Sequence, residues 1–182
     1  MLRRLLALRP ALQAEAEKIA RDLISGVSSE AVADEIQDAV KGLGIEDLHG
    51  RSGSHPWGYT EPGEAAWEVL EEAVKLFTDD MKRQLDLGLG VEALETCKGI
   101  VLGLYRLDRS KDADLLEWAP DFAAEAAGDA VEIWLRGGGG REMAAKSARA
   151  RKREGFPEDF IARFVPEWAD MFTRAQSKSR SR

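Results

Sequence analysis

Apolar residues recur every three or four positions along most of this chain, and the recurrence is strongest over residues 61–107. From about Pro62 to Leu87, Trp67, Leu70, Val74, Phe77, Met81 and Leu85 fall on one helical face. Glu68, Glu71, Glu72, Lys75, Asp79, Lys82, Arg83 and Asp86 fill the other, with Glu71–Lys75 and Asp79–Arg83 spaced as i,i+4 ion pairs. Pro62 suits a first helical position, where its missing N–H is no loss, and Gly88 suits a left-handed stop. A second helix is predicted from Val91 to about Leu107. Val91, Ala93, Leu94, Cys97, Ile100, Val101, Leu102, Leu104 and Tyr105 cover about 200° of its wheel. Glu92, Glu95, Thr96 and Arg106 make a narrow polar strip that also holds Gly99 and Gly103. So apolar a helix must touch neighbours on several sides, so we expect it at the centre of the domain. The two glycines either let a neighbouring helix approach closely or offer a contact surface to a second chain; the first reading is preferred, because a helix-interior glycine usually has a packing reason.

The same periodicity predicts the remaining elements. One helix starts near Pro10, with Leu12, Ala16, Ile19, Ala20 and Leu23 inward, and closes at Gly26. Another is capped by Ser28 or Ser29, with Val32, Ile36, Ala39, Val40 and Leu43 inward. Residues 44–60 carry four glycines and a proline, and read as a long loop without a helix. A polar connection over residues 108–114 leads to a turn with Leu115, Leu116 and Trp118, then to a helix from Pro120 to about Arg136. Glycines 137–140 read as a hinge. A basic segment follows, then a helix opened by Pro157 that Pro166 must kink or restart. The expectation is an all-α fold of stacked antiparallel helical hairpins, a right-handed superhelix or repeat-like bundle of about six or seven helices. Residues 1–136 form its body, 137–140 a hinge, 141–176 a basic segment with the last helix, and 177–182 a disordered tail. Glu64-Ala65-Ala66 and Glu125-Ala126-Ala127, early in two of the helices, are the only trace of repetition.

Composition narrows the class. With 44% hydrophobic and 32% charged residues among 182, the chain reads as one soluble, helix-rich domain long enough for a core. Its single cysteine excludes an internal disulfide and a Cys-built zinc site, and suits a cytoplasmic location. The apolar run Leu5–Leu8 is too short for a signal peptide, and no stretch reaches the ~18 apolar residues of a membrane span. Charge is unevenly spread. Residues 1–135 hold 14 Lys/Arg against 27 Asp/Glu, whereas residues 136–182 hold 12 against 6. An acidic body with a basic C-terminal part suits an acidic partner or self-association.

Three places could carry chemistry. The 44–60 loop holds His49, Arg51, Ser54, His55, Trp57 and Tyr59, a candidate contact for a ligand or partner. Its histidines match no recognised metal-ligand spacing. Residues 140–147, Gly-Arg-Glu-Met-Ala-Ala-Lys-Ser, approach the phosphate-cradling loop but have Ala145 where its second glycine belongs, outside any parallel-sheet context. Arg141, Lys146, Arg149, Arg151, Lys152 and Arg153 form a candidate nucleic-acid contact, against an overall pI near 5.0. Cys97 reads as a core residue. No catalytic residue, cofactor or metal ligand is assigned.

The stretch from Gly58-Tyr-Thr-Glu-Pro-Gly-Glu-Ala-Ala-Trp67 through Asp86-Leu-Gly-Leu-Gly-Val91 to Tyr105 resembles the helical region that follows the zinc-binding segment in bacterial SWIM zinc-finger proteins. The zinc motif itself is absent. The resemblance implies an α-helical, repeat-like module of a bacterial protein and carries over no metal site or activity. The expected role is a protein–protein interaction or scaffold module, working on another protein or by self-association. The alternatives are a nucleic-acid accessory protein using the basic segment, and an enzyme or ligand-binding protein using the 44–60 loop; no membrane role is expected.

Overall fold

The computed structural model describes residues 27–56, 58–110, 112–137 and 156–173. The helix predicted from Pro10, Trp57, glycines 138–140, the basic residues 141–153, the near phosphate loop and the tail lie outside these. The elements in order are α1 (Ser29–Lys41), α2 (Ile45–His49), a hairpin of β1 (Gly53–His55) and β2 (Gly58–Thr60), α3 (Pro62–Asp86), α4 (Gly90–Ser110), a 3-10 turn at Asp114–Glu117, α5 (Phe122–Arg136), α6 (Glu158–Phe164) and a 3-10 turn at Pro166–Trp168. The fold is all-α apart from the small hairpin. No helix among the described residues is long and apolar enough to cross a membrane.

The helix expected at the centre is there. α4 packs on α1, α3 and α5, and Ala93, Cys97, Ile100, Val101, Leu104 and Leu107 have no accessible surface. Its link to α3 is only Leu87 to Leu89. Gly88 takes φ +73°, and the Leu89 amide donates to the Gln84 carbonyl at 2.9 Å, so the chain reverses at once. α4 therefore runs antiparallel to α3. α5 returns alongside α3: Gly63 approaches the Trp118 carbonyl at one end, and Gly137 approaches Leu85 at the other. α3, α4 and α5 thus alternate in direction. α1 departs from that alternation and runs with α4, as its Val32, Ala33 and Ile36 meet Gly99 and then Gly103.

Of the polar strip assigned to α4, Glu92, Glu95 and Arg106 are half-buried, Gly99 and Gly103 admit a neighbouring helix as expected, and the burial of Thr96 corrects the wheel. Gly99 and Gly103 lie under α1. A Cβ on Gly99 would fall 2.5 Å from the Val32 Cβ and 2.8 Å from the Ser29 carbonyl oxygen, and one on Gly103 would fall 2.8 Å from the Ala33 carbonyl oxygen. Their face is occupied by the chain's own helix. Thr96 is buried too, its hydroxyl donating to Gln84 Oε1 at 2.8 Å while Gln84 Nε2 donates to Asp80 at 3.0 Å. Conversely Val91, assigned to the apolar arc, is 49% exposed beside the turn. Arg106, from the same strip, reaches Glu30 and Asp34 of α1 at 2.7 and 3.4 Å.

The remaining expectations meet mixed outcomes. Residues 44–60 are not an unbroken loop. Asp47 Oδ2 accepts the Gly44 amide at 2.9 Å, α2 forms behind it, and buried Leu48 joins the core. β1 and β2 then pair antiparallel, with Gly53 and Gly58 at positive φ. On α3 the ion pairs formed are Asp79–Lys82 and Asp80–Arg83, three apart rather than four. Residues 156–173 fold back on the body. Phe156 meets Trp134 edge-on at 6.1 Å, and Trp168 meets Tyr105 at 5.1 Å. Arg109 pairs with Glu167 at 2.7 Å, and Pro166 starts a new turn after Val165.

Gly99→Ala gains helix propensity of at most ~1 kcal/mol but must displace α1, so it should destabilise the fold by about 1–3 kcal/mol in a urea titration. Gly128 is the control. A methyl there meets only Met171 Sδ at 3.9 Å, so Gly128→Ala should stabilise by up to ~1 kcal/mol. Shifts of the same sign in both variants would remove the close-contact account of Gly99.

Candidate functional site

Arg51 joins the hairpin region to α3. Its guanidinium donates to both carboxylate oxygens of Glu72, at 2.8 and 2.5 Å, the planar fork matching the carboxylate. These hydrogen bonds raise the Arg51 pKa and hold the Glu72 carboxyl below its ordinary range. The His55 ring Nε2 lies 2.7 Å from the Arg51 carbonyl, which ties the hairpin to the end of α2. His49 is exposed, and Tyr59 is 64% exposed. The structure therefore brings Arg51 and His55 together and leaves His49 and Tyr59 at the surface. Among the described residues, no group of three His, Cys, Asp or Glu side chains is arranged to hold a metal ion. Cys97 is fully buried, and burial pushes its thiol pKa up, away from nucleophilic use.

Glu72 belongs to a larger feature that the sequence reading did not single out. α3 and α5, running side by side in the same direction, leave an open groove of about 420 Å³ between them. It extends from Trp67 to Lys82 along α3, a rise of ~22 Å at 1.5 Å per residue. Trp67 and Phe122 close its base with an edge-to-face contact, centroids 5.1 Å apart, and Val74, Ala126 and Ile133 continue the apolar floor. The walls are charged. Glu68, Glu71 and Glu72 stand on α3 and Asp129 on α5, against Lys75 and Lys82. Lys82 is held by Asp79 at 2.9 Å and Glu72 by Arg51. Glu68, Glu71 and Asp129 form no ion pair among the described residues.

Asp129 registers that imbalance. Partial desolvation against the helix pair, then the negative charges of Glu132 and Glu71, raise its pKa; Arg136 opposes them but is itself bound to Glu132. A wall of three glutamates and two lysines thus faces one that carries Asp129, over an aromatic base. The signal for this feature was present in the sequence: Trp67 sits on the α3 wheel beside Glu68 and Glu71, at the border of its two faces. What one wheel cannot supply is which second helix forms the opposite wall.

Comparisons with protein-family models, with curated proteins and with solved structures gave no match.

Because its folded-state pKa is raised, ionisation of Asp129 opposes folding. The penalty grows as pH climbs from the unfolded-state pKa through the folded one, and is constant above both. Asp129→Asn should therefore resist denaturant better than the wild type at neutral pH. The advantage should vanish below about pH 4, the range of an ordinary aspartate. A gap independent of pH would show that charge is not its source.

Proposed function

We propose that this chain is a protein–protein interaction module, and that the groove between α3 and α5 is its docking face. One observation carries the reading: a long trough with an aromatic base, on whose walls Glu68, Glu71 and Asp129 form no ion pair among the described residues. Aromatic side chains concentrate binding energy at interfaces, and charged walls select and steer a partner. The Arg51–Glu72 clamp supports the same reading, since it fixes the hairpin beside one wall and brings the 44–60 segment next to the docking face.

A second reading, nucleic-acid contact through Arg141, Lys146, Arg149, Arg151, Lys152 and Arg153, draws on the positive charge of the C-terminal part. It is compatible with the first, because the body that presents the groove is acidic and would itself be repelled by phosphates.

A photo-crosslinking residue at Glu71, compared with one at exposed Asp38 on α1, tests the docking face. The expected outcome is a covalent protein adduct from position 71 and none from position 38. Equal recovery from the two positions, or none from position 71, would remove the groove as the interaction site.

A further inference from the structure

We infer that the groove accepts a basic amphipathic helix of a partner protein, laid lengthwise between α3 and α5 with arginine or lysine side chains against Glu68, Glu71 and Asp129. This inference rests on the interaction-module reading and names the chemistry of the partner. Shape is the first argument. Two parallel helices in contact form a straight trough, and ~22 Å is the length of about 15 helical residues, four turns. A helix is the element whose width and straightness match such a trough, and it delivers apolar anchors at i, i+3, i+4 and i+7 to one floor. Trp67 and Ile133, each half-buried, are the floor residues that an apolar stripe would cover.

Charge is the second argument and selects among helices. Four carboxylates stand on the walls against two lysines; Arg51 binds Glu72 and Asp79 binds Lys82, which leaves Glu68, Glu71 and Asp129 against Lys75. Glu71 lies close enough to Asp129 across the groove to disfavour its ionisation. A cation placed between them is attracted from both walls at once, whereas an acidic segment, a phosphate backbone or an anionic bilayer meets repulsion. Arginine adds a planar face that stacks on Trp67 while its fork meets carboxylate.

The test uses the full chain and a fluorescently labelled model peptide of about 15 residues, with leucines at helical spacing flanked by arginines, alongside a twin with glutamate in place of arginine. Anisotropy should show binding of the arginine peptide that weakens with added salt, and binding of the glutamate peptide weaker by about tenfold or more. The double variant Glu71→Lys/Asp129→Lys, both positions being exposed, should keep its circular dichroism, lose the arginine peptide by about tenfold or more, and gain the glutamate peptide. The milder Glu71→Gln/Asp129→Asn should fall between. Equal binding of the two peptides, no binding of either, or an unchanged affinity in the double variant would overturn the inference. Ala126→Trp, which fills the groove, separates this from the broader reading. If it abolishes the crosslink from position 71 while the arginine peptide never binds, the docking face stands and the basic-helix partner falls. Concentration-dependent dimers that Ala126→Trp dissociates would assign the groove to a second copy and equally overturn it.

Discussion

The close seating of α1 on the glycine strip of α4 is the contact on which the rest of the structure depends. Gly99 and Gly103 bring backbone against backbone, with Val32, Ala33 and Ile36 filling the space that side chains would take. A glycine pair inside a helix is unfavourable by ~1 kcal/mol each for the isolated helix, so the burial it permits must more than offset that. The consequences run outward. Once α1 is placed, its end hands the chain to α2, whose Leu48 enters the core, and α2 packs on α3. That fixes the position of Arg51, which grips Glu72, and with it one border of the groove.

How much of this was legible in the sequence follows from what each residue type can signal alone. The long helices were, because Leu70, Val74 and Met81, or Leu94, Ile100, Val101 and Leu104, carry a period that only a helix converts into one buried face. The α3–α4 reversal was, because Gly88 stands where a left-handed residue is required. The close approach at Gly99 and Gly103 was legible, because a helix-interior glycine has a packing reason, though not that α1 makes it; Thr96 was misread because a wheel scores it by polarity, while its burial depends on who arrives from elsewhere in the chain. The short α2 was hidden by four surrounding glycines. Its start is stabilised by a reciprocal pair of local hydrogen bonds between Gly44 and Asp47, and its place by one leucine. The groove was least legible of all. Trp67 and Asp129 are far apart in sequence, and their approach is a property of the pairing of α3 with α5 rather than of either helix.

Stability and recognition pull in opposite directions along that pairing. Ala65, Ala66, Ala123, Ala127 and Ala130 are buried, so α3, α4 and α5 can pack closely through small side chains. The charge of Glu71 thereby helps, after burial and Glu132, to raise the Asp129 pKa. A protein selected for stability alone would place opposite charges at such positions, as this one does at Asp79–Lys82 and Arg109–Glu167. Like charges stand where the groove opens while charges elsewhere are paired, and the proposed docking of a basic partner would complete them.

The parallel course of α3 and α5 has one further consequence, for direction. The amide-rich ends of both helices lie together at the Pro62–Phe122 pole, where Glu64 and Glu125 occupy the first turns, and the carbonyl-rich ends lie together near Arg83 and Arg136. The two peptide dipoles therefore add instead of cancelling, and α4 offsets them only from the core side. Any helix entering from the open side experiences a field with a defined sense. Laid so that it runs against both neighbours, its ends meet opposite partial charges, an advantage of a few tenths to ~1 kcal/mol over the reversed placement. The trough thus distinguishes the two orientations of an occupant, and favours the one that extends the alternation of α3, α4 and α5 by a further strand of the same weave.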